Sequence, residues 1–329
     1  MPILSFPSAK LMGVTVKELT SNSDLQANGM KLIADRHKTL ASVSMMDLSV
    51  EAEAFGAKSD GNTVKSSDLV GASVAFDKKS VGATVNALIM ASVAKGKSHI
   101  HGCAREPHID SLIDFLRSAG AEIDVSGDTV FVTGRELTGG SITVPGDMIE
   151  AGTYLCASLI TGGDVSVHGF NKDELCSLYE ALGPSGVSVV SVKGGVSLTG
   201  VPDGYINIST AAYPGFPTDL QPVLSALLAV YRGGKIVENV WQGRFGYLGE
   251  LGKLGVEYRL CDNRAYISHS NIHSGTLSAT DLRGGAAAIL LALSADGMSV
   301  IEPAIDTSAR ISLPSRACEK RVMSDGALP

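Results

Sequence analysis

Four stretches of the chain share one layout, and this repetition limits the possible folds more than any other feature. An apolar helical segment runs into a glycine turn and a short strand, then a second helix and further strands. The first stretch reads ATVNALIMASVAKGKSHIHG, then IDSLIDFLRSAGAEIDV and DTVFVTG. The second reads AGTYLCASLITGGDVSVHG, then ELCSLYEALGPSGVSVV and GGVSLTG. The third reads LQPVLSALLAVYRGGKIVEN, then FGYLGELGKLGVEYRL and NRAYISH. The fourth opens with RGGAAAILLALSADGMSVIEP and then loses the pattern. With Gly96, Gly162, Gly233 and Gly297 as turn markers, the intervals are 66, 71 and 64 residues. A period this long, with two helices and several strands, is a folding unit rather than a solenoid rung. The helical stretches place apolar residues at i, i+3 and i+4, and the strands are rich in β-branched residues. The marker glycines fit helix C-caps that need a left-handed backbone. The predicted class is therefore α/β (α+β), with units packed around a shared core.

Composition narrows the function. A length of 329 residues suggests two domains at about 150 residues each. Glycine supplies 37 of 329 residues, about 11% against a usual ~7%, as repeated tight turns require. GGSITVPGD, near residue 140, is the best internal linker, and GAKSDGNTVKSSD over 56–68 forms a second seam. The chain has 27 Lys+Arg and 34 Asp+Glu, a net charge of −7, with no basic cluster. That argues against a nucleic-acid partner. No run approaches the ~18 apolar residues of a membrane span. MPILSFPSAKLMG has neither the basic nor the apolar region of a secretory signal. The five cysteines are scattered, with no CxxC and no metal-ligand spacing. We expect a cytoplasmic, reduced protein with no metal and no cofactor. His99 and His101, in HIHG, alternate as strand residues do, and we read them as one strand face rather than a metal pair.

Six words occur in order between Leu69 and Ile305, across about 70% of the chain: LVGASVAFDKKSVGAT, AREPHIDSL, IEAGTYLCASLITGG, YPGFPTDLQ, RFGYLGELGKLG and ATDLRGGAA. Together they resemble the enolpyruvyl transferases of the UDP-N-acetylglucosamine 1-carboxyvinyltransferase type; SVGAT and YPGFPTDLQ side with these over the enolpyruvylshikimate-phosphate synthases. The resemblance implies two similar domains, each an inside-out α/β barrel of three βαβαββ-type units with helices inside and sheets outside. On that basis residues 69–145 are the last unit of the first domain and 146–305 the second domain. The N-terminal domain is then incomplete, 1–68 is a foreign segment and 306–329 a divergent tail. Residues 1–58, through MPILSFPSAKLMGVTVKEL and VSMMDLSVEAEAFGA, resemble the start of uroporphyrinogen decarboxylase-like methyltransferases. The first strand and helix of such a (β/α)8 barrel cannot close it alone. The other reading is a divergent segment that docks as an extra helix and strand.

The resemblance also implies the reaction. An enolpyruvyl group passes from phosphoenolpyruvate to the 3-hydroxyl of UDP-N-acetylglucosamine, with release of phosphate, in peptidoglycan precursor synthesis. Asp219 matches the carboxylate that takes the hydroxyl proton; read locally, it is a first-turn acid at the start of LQPVLSALLAV. Lys78, Ser80, Val81 and Gly82 match contacts to the uridine diphosphate, where helix N–H groups suit phosphate oxygens; read locally, they are an ordinary helix start. Val240 matches a backbone contact to the UDP-sugar. Arg244 and Arg283 match cleft arginines, with Arg283 on the phosphoenolpyruvate carboxylate and Asp281 beside it. Gly243-Arg244 stands where the family has Asn-Arg. The family's N-terminal Lys-Asn pair, its mobile loop with the catalytic Cys and its Arg-Pro motif have no counterpart, and its late Asp-Arg-Gly-Tyr word is broken after Asp306. The expected activity of this chain is accordingly weak or nil. A non-catalytic UDP-sugar-binding module and a methyltransferase-type fragment are the alternatives.

Overall fold

The computed structural model describes residues 69–279 and 281–303, with short pieces at 12–14, 25, 58–59, 64–65 and 311–313. Most of the N-terminal segment and of the tail lies outside the described residues. The chain divides into two compact units, Met1–Thr143 and Val144–Pro329.

In the first unit β1 (Ser73–Ala75), α1 (Val81–Val93), β2 (Lys97–His101), α2 (Pro107–Ser118), β3 (Glu122–Ser126) and β4 (Thr129–Thr133) follow in order. The Ser80 hydroxyl caps α1 through the Ala83 N–H, and Pro107 stands in the first turn of α2, where its missing N–H costs nothing. The sheet order is β1-β2-β4-β3, with β1 parallel to β2 and the other pairs antiparallel. α2 turns Ile109, Ile113 and Leu116 inward, a seven-residue stripe on one face. These close on Ala87, Leu88 and Ala91 of α1 and on Ile100, Val130 and Val132 of the sheet, in one core. His99 and His101 fall on the exposed face of β2, as their alternation predicts. Ile89 and Val93 of α1 are also exposed.

The second unit repeats the layout three times. α3 (Met148–Thr161), β5 (Ser166–His168), α4 (Cys176–Leu182), β6 (Ser188–Val192) and β7 (Gly195–Thr199) come first. Next come β8 (Ile206–Ser209), α5 (Gln221–Val230), β9 (Gly234–Val237), α6 (Tyr247–Leu251), β10 (Tyr258–Cys261) and β11 (Arg264–Ile267). β12 (Thr276–Ala279), α7 (Leu282–Ser294), β13 (Ser299–Pro303) and β14 (Ile311–Leu313) complete it. The sheet orders are β5-β7-β6, β8-β9-β11-β10 and β12-β13-β14. β8 and β9 pair in parallel across α5, and β12 and β13 do so across α7, as β1 and β2 do across α1. The first of the three has no leading strand, because residues 134–147 run without regular structure into α3. The third sheet reaches past Ile305, where the sequence pattern is lost, through the antiparallel pairing of β14 with β13.

α3, α5 and α7 pack against one another. α5 is buried at every position from Gln221 to Ala229, as suits a helix that is apolar on nearly all sides. The sheets lie outside these helices, the arrangement that the resemblance implies. The four marker glycines all have positive φ, at 101°, 65°, 77° and 95°. Only Gly162 is itself a left-handed C-cap; the other three lie two residues past their caps, Ala94, Tyr231 and Ala295, and turn the chain toward the next strand. Among the described residues no helix is long and apolar enough to cross a membrane.

Candidate active site

The second unit gathers its polar groups where β8 and β9 end and α5 and α7 begin. Asp219 directly precedes Leu220, the N-cap residue of α5, but its carboxylate does not cap that helix. Its Oδ1 takes Nη2 of Arg244 at 3.0 Å and Nε of Arg283. Among the described residues, Oδ2 accepts no hydrogen bond. Asp281 does cap: its Oδ1 accepts the Arg283 and Gly284 N–H groups of α7, each at 2.8 Å. The same turn therefore starts the helix and delivers the Arg283 side chain to Asp219.

Arg244 reaches the cluster from the loop after β9. Its Nη1 donates to the Thr218 hydroxyl at 2.8 Å. Burial and the neighbouring Arg283 pull this guanidinium below its ordinary pKa, while Asp219 and Glu238 oppose them. Gly243, just before it, has φ 72°, in the left-handed region that Gly and Asn populate most readily. The Asn that the resemblance implies at this position would suit the same turn. Val240 sits in the same loop, and its N–H donates to Glu238 Oε1 at 2.8 Å.

Glu238 and Thr218 escaped the sequence reading. Glu238 is fully buried, and it accepts from the Thr210 and Thr218 hydroxyls and from the Val240 and Trp241 N–H groups. The available signal was a glutamate directly after a β-branched strand, in KIVEN, where a buried carboxylate needs partners. Counted together, the cluster sets two guanidinium groups, Arg244 and Arg283, against three carboxylates, Asp219, Glu238 and Asp281.

Lys78, Ser80, Val81 and Gly82 belong to the first unit and meet at the start of α1. Ser80 caps, which leaves the first-turn N–H groups of Val81 and Gly82 without helical acceptors. Lys78 is exposed, whereas its neighbour Lys79 lies 3.7 Å from Asp128. Elsewhere, Arg105 pairs with Asp110 at 2.6 Å, and Asp147 caps α3 through the Ile149 N–H. Cys103 and Cys156 are buried, and desolvation pushes their thiols up to about 11 and about 12, which suits inert packing residues. No group of three or more His, Cys, Asp or Glu able to hold a metal occurs among the described residues.

A family model described as EPSP synthase (3-phosphoshikimate 1-carboxyvinyltransferase) matches residues 39–312. The chain belongs to the enolpyruvyl transferase family. A UDP-N-acetylglucosamine 1-carboxyvinyltransferase of Clostridium botulinum is 39% identical to it over 241 residues, 71% of this chain and 57% of the relative. The protein of that name in Trichlorobacter lovleyi is 38% identical over 240 residues, with the same 71% and 57% covered. This enolpyruvyl transferase chain thus spans a little over half the length of these curated relatives. Among solved structures, the enolpyruvyl transferase NikO from Streptomyces tendae matches with a TM-score of 0.65 at 23% identity, over 82% of this chain and 66% of that one. EPSP synthase from Acinetobacter baumannii matches at 0.56 and 17% identity, over 77% and 65%. Both share the fold. The family match begins at residue 39, inside the N-terminal stretch that ends at 58, and it runs to 312, into β14.

Proposed function

We propose that this enolpyruvyl transferase chain acts on UDP-N-acetylglucosamine, with phosphoenolpyruvate as donor, in the cytoplasmic synthesis of peptidoglycan precursors. The observation that carries the reading is Asp219, with one carboxylate oxygen anchored by two guanidinium groups and the other open. An anchored carboxylate with a free oxygen is placed to accept a hydroxyl proton. As that proton leaves, the sugar 3-oxygen bonds to C2 of the enolpyruvyl group and the methylene carbon takes a proton. Loss of the proton and of phosphate then restores the double bond. Arg283, and beside it Arg244, would hold donor anions as charge develops. Lys78 and the free N–H groups of Val81 and Gly82 would hold the diphosphate. The acid for the methylene carbon is not assigned to a residue of this chain.

Calorimetric titration with UDP-N-acetylglucosamine and with 3-phosphoshikimate tests the acceptor. We expect the UDP-sugar to bind and 3-phosphoshikimate not to bind; the reverse order, or no binding of the UDP-sugar at millimolar concentration, would overturn the reading. A second reading, a UDP-sugar-binding module without turnover, is favoured by the excess of carboxylates over guanidinium groups in the cluster, which leaves little net attraction for a donor anion. Phosphate release in the presence of both substrates separates the two, and for this chain alone we expect slow release at most.

A further inference from the structure

We infer that Glu238 is a positioning residue for Arg244, acting through the hydroxyl of Thr218. The inference rests on the proposed function only for its effect on ligand affinity. Thr218 has one proton to give and two lone pairs to offer. The Arg244 guanidinium can only donate, and its Nη1 lies 2.8 Å from the Thr218 oxygen, so that oxygen must accept there. The Thr218 proton then needs another acceptor, and Glu238 Oε2 lies 2.8 Å away. The buried carboxylate thereby sets the polarity of the hydroxyl, and the hydroxyl holds one nitrogen of Arg244. Asp219, the next residue in the chain, holds another at 3.0 Å. Arg244 is thus fixed by two adjacent residues.

Glu238 can do this because it cannot turn. Its Oε1 accepts from the buried Thr210 hydroxyl at 2.8 Å and from the Val240 and Trp241 N–H groups at 2.8 and 3.0 Å. The Thr210 oxygen in turn accepts the Asn239 N–H at 2.9 Å, so its proton is also committed to Glu238. Every group on Glu238 donates to it, and none is free to leave without stranding a buried oxygen. The end of β8, the loop before α5 and the loop after β9 are joined at one carboxylate, which reaches Arg244 through the Thr218 hydroxyl.

Thr218→Val keeps the shape and removes the hydroxyl; Thr218→Ser keeps the hydroxyl. Nitrogen-15 NMR of the arginine side chains, with the signal assigned through Arg244→Lys, reads the relay without any substrate. We expect the Arg244 side-chain signal to keep its position in Thr218→Ser and to broaden or shift in Thr218→Val. An unchanged signal in Thr218→Val overturns the inference. Glu238→Gln is the second variant, for use if Thr218→Val does not fold. Gln keeps the shape but can turn an amide N–H toward Thr218, whose proton then loses its acceptor, and the Arg244 signal should shift; an unchanged signal in that variant also overturns the relay. The second readout is affinity. Loss of a hydrogen bond to a charged group should weaken phosphoenolpyruvate binding about tenfold in Thr218→Val, with recovery in Thr218→Ser and less than a twofold change for UDP-N-acetylglucosamine. Equal loss for both ligands marks a merely structural role and counts against the inference. If the unaltered chain binds neither substrate, the functional reading fails, and the Arg244 spectra still decide the relay.

Discussion

Asp219 and Asp281 each stand at the start of an inner helix, yet they do different work. Asp281 satisfies two N–H groups of α7, so Asp281→Ala is expected to cost about 1 kcal/mol of stability. Asp219 touches no helix N–H; it pairs with two arginines at a half-exposed position. Exposed pairs contribute little, and Asp219→Ala should shift a urea-unfolding midpoint less than Asp281→Ala does. A larger shift for Asp219→Ala would show that its pairs bear structural load. Sequence position alone could not separate the two, because both aspartates precede an apolar helical run. What distinguishes them is which donor each oxygen meets, and for Asp219 those donors lie 25 and 64 positions away along the chain, in Arg244 and Arg283. The same distance hid Glu238: its partners at Thr210 and Thr218 come from a different loop, and no local pattern announces a carboxylate that must be buried.

At the scale of elements, Gly234 shows why the strand after α5 starts as it does. A Cβ there would stand 2.3 Å from the Ile206 carbonyl oxygen and 2.7–2.8 Å from the Leu228 methyl groups. The carbonyl belongs to the parallel partner strand and cannot step aside as a side-chain tip can. Gly234→Ala should therefore cost about 3 kcal/mol and loosen the β8–β9 pair, read as faster amide exchange at Ile236 and Val237; an unchanged midpoint would refute the clash. The periodicity that predicts helices and strands is visible in the sequence because each helix buries a regular stripe and each strand one face. The turns after the helices are legible as glycine, but their distance from the cap is not: Ala94 and Ala295 end their helices in extended backbone, and the left-handed residue comes two positions later. The irregular stretch before α3 was legible: the Gly and Pro of GGSITVPGD read as a linker, and residues 134–147 run without regular structure.

At the scale of the whole molecule, the described residues form two cores, one built on α1 and α2 and the other on α3, α5 and α7. Leu88 and Leu224 are each fully buried, one in each core. Truncation to Ala at either should cost about 3 kcal/mol. Hydrogen exchange should then show lost protection in the altered unit alone; loss in both would mean the cores unfold together. Every ladder among these elements joins strands from one continuous stretch: 73–133, 166–199, 206–267 or 276–313. During synthesis, each sheet has all its strands as soon as its own stretch has left the ribosome. The inner helices do not. α5, apolar on nearly every side, is complete at Val230, and its partner α7 is complete only at Ser294. Those 64 residues take about 3–13 s to add at usual elongation rates, an interval in which the most apolar helix of the unit waits for its last neighbour.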